Sequence, residues 1–219
     1  MDTVGKDCLP EFKPIPTEDK HHSWTNGCVS RQTIDELIQF AEESNVQGRF
    51  KLFYKLFLAK RLSLKSKKLI FSLAALWGGR TNETNWKYEN AVTLLDHIKK
   101  RNKMDIFYGF ELGNEIYGNH GHAAQIKPDI AAEDFGTLRK LLSKYNKNWK
   151  IIGTDTAMDI GWTIDFFKNN PTAVDIFTWH EYPLGSGGSE DVAEKIMDPN
   201  FIEKVAKRIE TYKARVHRD

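Results

Sequence analysis

The chain has 219 residues, of which 40% are hydrophobic and 28% are charged, and its formal net charge at pH 7 is +2. A chain of this length and composition forms a large folded domain with a substantial core, which excludes an intrinsically disordered protein. The net charge is too small to indicate nucleic-acid binding, so we expect no nucleic-acid partner.

Residues 1–30 form the first segment, and their composition predicts a loop-rich start. They contain three prolines and show no hydrophobic periodicity. Because no apolar stretch follows the first methionine, we expect no signal peptide in this chain, and no run of about 18 apolar residues predicts a transmembrane helix. Cys8 and Cys28 could form a disulfide in an exported protein, but two cysteines leave their pairing open.

A helix is predicted next, from Ser30 as its N-cap to about Asn45. Apolar residues recur along it at helical spacing, at Ile34, Leu37, Ile38 and Ala41. Residues 47–67, which follow, are basic and apolar and contain no acidic residue. We interpret this segment either as an amphipathic helix on an anionic membrane surface, or as an inserted loop or helix with a solvated basic edge.

The rest of the chain alternates between short apolar runs and helical patterns. The apolar runs predict strands at residues 68–76, 105–112, 149–153 and 174–179. The helical patterns predict helices at residues 86–100, with Asn85 as N-cap, and at 131–146, 160–170 and 201–215. This alternation favours a parallel sheet covered by helices. Because a complete barrel takes about 250 residues, the predicted fold class is α/β, a partial (β/α)8 TIM barrel.

The stretch Gly113-Asn114-Glu115 is the strongest functional signal. It lies between an apolar run and a polar loop, which places Asn114 and Glu115 at the C-terminal end of a strand. In βα barrels, such strand ends line the active site. Glu115 is therefore a candidate general acid/base for glycoside chemistry. The alternatives are a salt-bridged surface carboxylate for Glu115 and a bond to a loop backbone for Asn114.

Polar residues also follow the third and fourth predicted strands. Asp155 follows the third strand, and His180 and Tyr182 follow the fourth, so all three are candidate site residues for the same reason. His180 and Tyr182 could instead be capping groups, and Asp155 could cap the following turn. His120 and His122 have no Cys or carboxylate partner nearby, so we interpret them as loop histidines and expect no metal site.

Three blocks of sequence occur in a characteristic order and spacing. The first is Leu69 to Leu76, followed by Trp86 and Asn90-Ala91; the second is Phe110-Glu111-Leu112-Gly113-Asn114-Glu115; the third is Thr178-Trp179-His180-Glu181-Tyr182, followed by Lys195 to Pro199. Together they resemble the heparanase-like endo-β-glucuronidases of glycoside hydrolase family 79, and the loop after Tyr182 is more similar to that of the plant-type members. The resemblance runs from about Cys8 to about Arg208 and is interrupted at residues 47–67.

The resemblance implies a fold, a reaction and roles for individual residues. The fold is a (β/α)8 barrel of which this chain covers about strands three to six. The reaction is retaining hydrolysis of O-glycosyl bonds in β-glucuronide-containing polysaccharides or glycoconjugates, with no cofactor. Glu115 matches the acid/base, and Asn114 matches a residue that bonds the sugar near its 2-hydroxyl. His180 and Tyr182 match substrate-site residues on strand six, and Asp155 lies where the family has an Asp on strand five.

The implied partner is a uronate-containing glycan, and members of the family are secreted, lysosomal or membrane-associated. The family's nucleophile is a Glu at the tip of strand eight, and nothing after Tyr182 reads as a strand that carries such a Glu. We therefore expect the nucleophile and the remainder of the barrel to be missing, and little turnover by this chain alone. The domain is predicted as residues 1–219, with βα units at 68–215. The alternative functions are a non-catalytic carbohydrate-binding remnant and a peripheral membrane protein that binds through residues 47–67.

Overall fold

The computed structural model describes residues 29–43, 68–76, 80–117, 124–157, 159–185, 188 and 190–216. Within them, helices and strands alternate over most of the chain. The strands are β1 (Leu69–Leu73), β2 (Phe107–Leu112), β3 (Lys150–Ala157) and β4 (Ile176–His180). The helices are α1 (Arg31–Glu43), α2 (Glu89–Lys100), α3 (Pro128–Ser143), α4 (Ile160–Asn169), α5 (Val192–Met197) and α6 (Pro199–Val216).

The four strands form one parallel sheet in the order β1-β2-β3-β4. Each strand pairs with the strand that follows it in the chain, and a helix lies between each pair of strands in sequence. Phe110 is in register with Phe71 on one side and with Ile151 on the other. This is the repeating βα arrangement of a TIM barrel, and the predicted α/β class is confirmed.

Helices cover one face of the sheet. Alternate strand residues, among them Phe110, Leu112 and Ile151, are fully or almost fully buried in one cluster with the apolar faces of the helices. Trp149 packs edge-on against Phe110, with ring centroids 4.9 Å apart. Burial of this kind stabilises the fold by roughly 25 cal/mol per Å² of apolar surface.

The opposite face of the sheet carries a different set of side chains. Ile70 and Ile176 remain 49% and 38% exposed there. In a closed barrel, this face points to the interior, and its C-terminal edge lines the active site. The described part of the chain therefore presents the functional edge of the sheet to solvent.

A buried ion pair joins the segment after β1 to α3. The Arg80 and Asp134 side chains contact each other, with only 0% and 1% of their surfaces exposed. Arg80 also donates to the Ala75 carbonyl oxygen at 3.1 Å, and Asp134 accepts from the Trp86 backbone N–H at 2.7 Å. These bonds hold Arg80 and Trp86, which precede α2, against Ala75 and α3.

Most predicted elements are present, and their ends differ by a few residues. Ser30 caps α1 as predicted, because its Oγ accepts a hydrogen bond from the Thr33 backbone N–H at 3.0 Å. The prediction of Asn85 as the cap of α2 is wrong. Helix α2 begins at Glu89, and Tyr88 precedes it without a side-chain cap. Asn85 instead donates to Glu133 on α3 at 2.8 Å.

Two further differences concern the second half of the chain. Strand β3 continues to Ala157, four residues beyond its predicted end, because Thr156 and Ala157 pair with β4. Helix α5 was not predicted at all. Residues 192–197 form it before a break at Asp198.

Some predictions fall on residues outside the described ranges. These are the loop-rich start with Cys8 and Cys28, the basic segment 47–67, and the pair His120 and His122. The possible membrane association of residues 47–67 thus stays a prediction. In the described part of the chain, none of the helices is both long enough and apolar enough to span a bilayer.

Candidate active site

The turn after β2 carries Glu115 to the C-terminal edge of the sheet. Gly113 begins this turn with φ +74°, and a Cβ there would lie 2.6 Å from Ile116 Cδ1. Glycine is therefore required at this position both by conformation and by space. Gly113 N–H donates to the Leu73 carbonyl oxygen at 2.9 Å, which ties the turn to β1.

Glu115 meets two side chains from β4 and the loop that follows it. The Glu115 Oε1 atom lies 2.6 Å from His180 Nδ1 and accepts a hydrogen bond from the Tyr182 hydroxyl at 3.3 Å. The Glu115 and His180 side chains are 20% and 25% exposed, and Tyr182 is 69% exposed as a residue. The negative charge of Glu115 raises the pKa of the Tyr182 hydroxyl. The predicted residues Glu115, His180 and Tyr182 thus form one cluster that is open to solvent on one side.

An ion pair connects the loop after β4 to α6. Glu181, between His180 and Tyr182, pairs with Arg208 on α6. The Glu181 side chain is 20% exposed and the Arg208 side chain is 53% exposed, so solvent screens the pair and it contributes little stability by itself. The contact places α6 beside the loop that carries Tyr182.

Asp155 supports Glu115 from β3. Its carbonyl oxygen accepts a hydrogen bond from the Glu115 backbone N–H at 2.8 Å, and both residues have positive φ, +52° for Asp155 and +50° for Glu115. Asp155 Oδ1 accepts from the Thr178 hydroxyl at 2.6 Å. Asp155 Oδ2 is buried and has no hydrogen-bond partner. The residue is 8% exposed, and burial raises the pKa of its carboxyl group.

The model of the glycosyl hydrolase family 79 N-terminal domain matches residues 3–218. The chain belongs to glycosyl hydrolase family 79. The resemblance of the three sequence blocks to this family is thereby confirmed.

Relatives of this family 79 chain include plant proteins. Heparanase-like protein 3 of Arabidopsis thaliana is 26% identical over 216 residues, which cover 94% of this chain and 35% of the relative. Baicalin-beta-D-glucuronidase of Scutellaria baicalensis is 26% identical over 188 residues, which cover 84% of this chain and 34% of the relative. The chain thus spans about a third of the length of the curated relatives it matches.

Asn114 directly precedes Glu115 in the turn after β2. Its side chain is exposed, so a ligand at the edge of the sheet can reach it. An amide carries both donors and an acceptor, which suits a sugar hydroxyl. The predicted role of Asn114 in sugar binding stays a prediction.

Glu111 is a further carboxylate whose pKa responds to this cluster, and the sequence did not single it out. It is half-buried on β2, in register with Ser72 of β1. Burial raises the pKa of Glu111, the charge of Asp155 raises it further, and the charge of His180 lowers it. A carboxylate inside an otherwise apolar strand run is the signal that could have identified it, since such residues are rarely buried without a reason.

Thr178 contacts Asp155, and although it begins the third sequence block, the sequence predicts no role for it. Its hydroxyl contacts Asp155 only because β3 and β4 are neighbours with Thr154 and Thr178 in register.

The metal sites that such acidic clusters sometimes form need at least three suitable ligands together. In the residues that the structure describes, no such group of His, Cys, Asp and Glu is found.

Proposed function

We propose that the chain provides the acid/base half of a retaining glycosidase site that acts on glucuronide-containing glycans. The observation that carries this proposal is the position of the Glu115 carboxyl group at the open edge of the sheet, in contact with His180 and Tyr182. Membership of glycosyl hydrolase family 79 and the similarity to heparanase-like proteins and to a glucuronidase support the substrate class.

In this proposal, Glu115 donates its proton to the glycosidic oxygen of the leaving group and later takes a proton from water. His180 and Tyr182 hold the carboxyl group in one orientation, which a positioned acid requires. Asn114, exposed beside it, binds the sugar near its 2-hydroxyl.

The retaining reaction needs a second carboxylate about 5–5.5 Å from the first. The carboxylates after Tyr182 lie outside strands in the described residues, for example Glu194 in α5 and Glu203 in α6. We therefore expect the chain alone to bind the glycan and to hydrolyse it slowly. A second carboxylate from another part of a barrel would complete the pair.

Binding is tested by titration of the chain with uronate oligosaccharides, with tryptophan fluorescence as the signal because Trp179 adjoins His180. We expect saturable binding that Asn114→Ala weakens about tenfold, the effect of one hydrogen bond to a charged or well-placed group. We expect His180→Ala to weaken it less, because His180 acts on the glycan through the orientation of Glu115. Glu203→Gln changes an exposed ion pair on α6 and is the matched control, for which we expect no change.

Hydrolysis is tested with an aryl glucuronide. We expect turnover close to the uncatalysed rate for the 219-residue chain, since no covalent intermediate forms without the nucleophile. Turnover that Glu115→Gln abolishes would show that the chain holds a complete catalytic pair. Absence of binding in the fluorescence titration would contradict the proposed substrate class.

A further inference from the structure

Strand β4 is connected to Glu115 at two points, the carboxyl group and the backbone. His180, the last residue of β4, lies with its Nδ1 atom 2.6 Å from Glu115 Oε1. Thr178 lies two residues earlier on β4 and therefore on the same face of the strand. Its hydroxyl donates to Asp155 Oδ1 at 2.6 Å, and the Asp155 carbonyl oxygen accepts from the Glu115 N–H at 2.8 Å. The strand, Asp155 and Glu115 thus form a closed ring of contacts.

The side chain of Asp155 depends on Thr178 for its hydrogen bonding. Asp155 is 8% exposed, and its Oδ2 atom is buried without a hydrogen-bond partner. Within the described residues, the Thr178 hydroxyl is the donor that the Asp155 carboxyl group has. A buried carboxyl group without any partner is unfavourable. Loss of the Thr178 hydroxyl therefore favours a movement of Asp155 towards water.

The backbone of Asp155 transmits such a movement to Glu115. Asp155 has φ +52°, a left-handed conformation that persists in a residue other than glycine only where surrounding contacts hold it. Asp155 also occupies the irregularity of β3, where the pairing with β4 shifts between Thr154 and Thr156, so the strand ladder does not hold it. The carbonyl oxygen that binds the Glu115 N–H moves together with Asp155.

We propose that Thr178 is a positioning residue for the acid/base. Through Asp155, its hydroxyl fixes the Glu115 backbone at the distance from β4 at which His180 meets the Glu115 carboxyl group. In this role Thr178 touches neither the glycan nor the reacting atoms. The inference rests on the proposed function of Glu115, and its test uses neither sugar nor turnover.

Amide hydrogen exchange of the full chain, followed by NMR, tests the connection to the backbone. Thr178→Val removes the hydroxyl and keeps a branched side chain of similar size. We expect it to speed exchange of the Glu115 amide about tenfold, the effect of weakening one hydrogen bond. The Gly113 amide is the internal control, because it lies two residues earlier in the same turn and donates to Leu73 of β1 at 2.9 Å. We expect its exchange to stay unchanged, whereas a general loss of stability would speed both amides.

The tautomer of the His180 ring tests the connection to the carboxyl group. An ionised carboxylate only accepts hydrogen bonds, so its contact with His180 favours the neutral ring with its proton on Nδ1. Ring-nitrogen NMR of the chain labelled with 15N-histidine measures both tautomers, and His180 is identified by the loss of its signals in His180→Gln. In Thr178→Val, we expect the ratio of the Nδ1–H to the Nε2–H tautomer to fall about three- to tenfold.

Two further variants separate the hydroxyl from other effects of the substitution. Thr178→Ser keeps the hydroxyl, and we expect it to retain both the slow exchange of the Glu115 amide and the tautomer ratio of His180. Thr93→Val removes a threonine hydroxyl that bonds the Glu89 carbonyl oxygen on α2. It is the matched control, for which we expect neither signal to change.

Each outcome decides the proposal. Equal exchange of the Glu115 amide in the unchanged chain and in Thr178→Val would overturn the connection to the backbone, and an unchanged tautomer ratio would overturn the connection to His180. Signals in Thr178→Ser that match those of Thr178→Val would assign the effect to packing and not to the hydroxyl.

Circular dichroism establishes that the variants fold, because Thr178 is half-buried. Thr178→Ala, which removes the hydroxyl and needs no additional room, replaces Thr178→Val if the latter does not fold. If neither variant folds, the hydroxyl serves the fold as a whole and the proposal is wrong. Absence of glycan binding, in contrast, would contradict the proposed function and leave these measured contacts as they are.

Discussion

Replacement of Asp134 by alanine is expected to remove much of the stability of the fold. The Asp134 carboxylate accepts from the buried guanidinium of Arg80 and from the Trp86 backbone N–H. Arg80 keeps its bonds to the carbonyl oxygens of Ala75 and Thr84 at 3.1 and 3.0 Å. Asp134→Ala therefore leaves a buried cation without its counter-charge and a buried N–H without an acceptor.

The expected loss follows from the burial of both partners. Removal of one partner from a buried ion pair costs about 3–5 kcal/mol, because the remaining charge stays out of water. The whole free energy of unfolding of a domain is about 5–15 kcal/mol. Asp134→Asn keeps an oxygen that can accept from Trp86 N–H and loses only the charge, so we expect a smaller loss of about 2 kcal/mol.

Urea denaturation followed by tryptophan fluorescence measures these losses. Glu133→Ala is the matched control, because Glu133 is the preceding residue on α3, is exposed, and accepts a hydrogen bond from the exposed side chain of Asn85. We expect it to change the free energy of unfolding by less than about 0.5 kcal/mol. A loss below about 1.5 kcal/mol for Asp134→Ala, or one equal to that of the control, would refute the reasoning from a buried unpaired charge.

Two further predictions concern the sheet. In Gly109→Ala the new Cβ would lie 2.2 Å from the Lys150 carbonyl oxygen, so β2 and β3 must separate. We expect the free energy of unfolding, measured by urea denaturation, to fall by about 3 kcal/mol. Gly188→Ala is the control, for which we expect almost no change because nothing lies within 4 Å of the new Cβ. The second concerns pH. Because burial raises the folded-state pKa of Asp155, the folded state binds the proton more tightly, and stability falls as the pH rises from about 4 through the raised value. Denaturation at several pH values should show a shallower fall in Asp155→Asn, and an identical slope would contradict this account.

The sequence predicted those parts of the fold that depend on local pattern. The apolar runs of β1, β2 and β4 and the apolar faces of the helices are recognisable because burial repeats with the period of each element. The capping of α1 by Ser30 is also local, since the donor is the Thr33 N–H three residues away. These features need no knowledge of distant partners.

The errors of prediction come from distant partners. Asparagine is a common helix-capping residue, but Asn85 bonds Glu133, 48 residues away, and α2 begins later in the chain. The polar end of β3 reads as a strand tip, but pairing with β4 keeps it in the sheet. Local propensity is a weak guide where a tertiary contact competes with it.

The residues of the candidate site divide in the same way, into those recognisable from local pattern and those that depend on distant partners. Glu115, His180 and Tyr182 could be predicted because each follows an apolar strand run, and the structure brings the three together. Thr178 could not, because it lies inside a strand and its contact with Asp155 depends on which strands are neighbours. For Glu111, the sequence carries only the signal of a carboxylate within an apolar run. The order of strands in the sheet is a property of the whole fold and not of any segment.

The left-handed backbone at Glu115 has a consequence for mutagenesis of the site. A glutamate in this conformation costs about 1–3 kcal/mol, whereas asparagine adopts it more readily and glycine does so without a steric penalty. Glu115→Gly and Glu115→Asn therefore remove the carboxyl group and relieve backbone strain at the same time. At this position the placement of a side chain and the stability of the backbone pull in opposite directions.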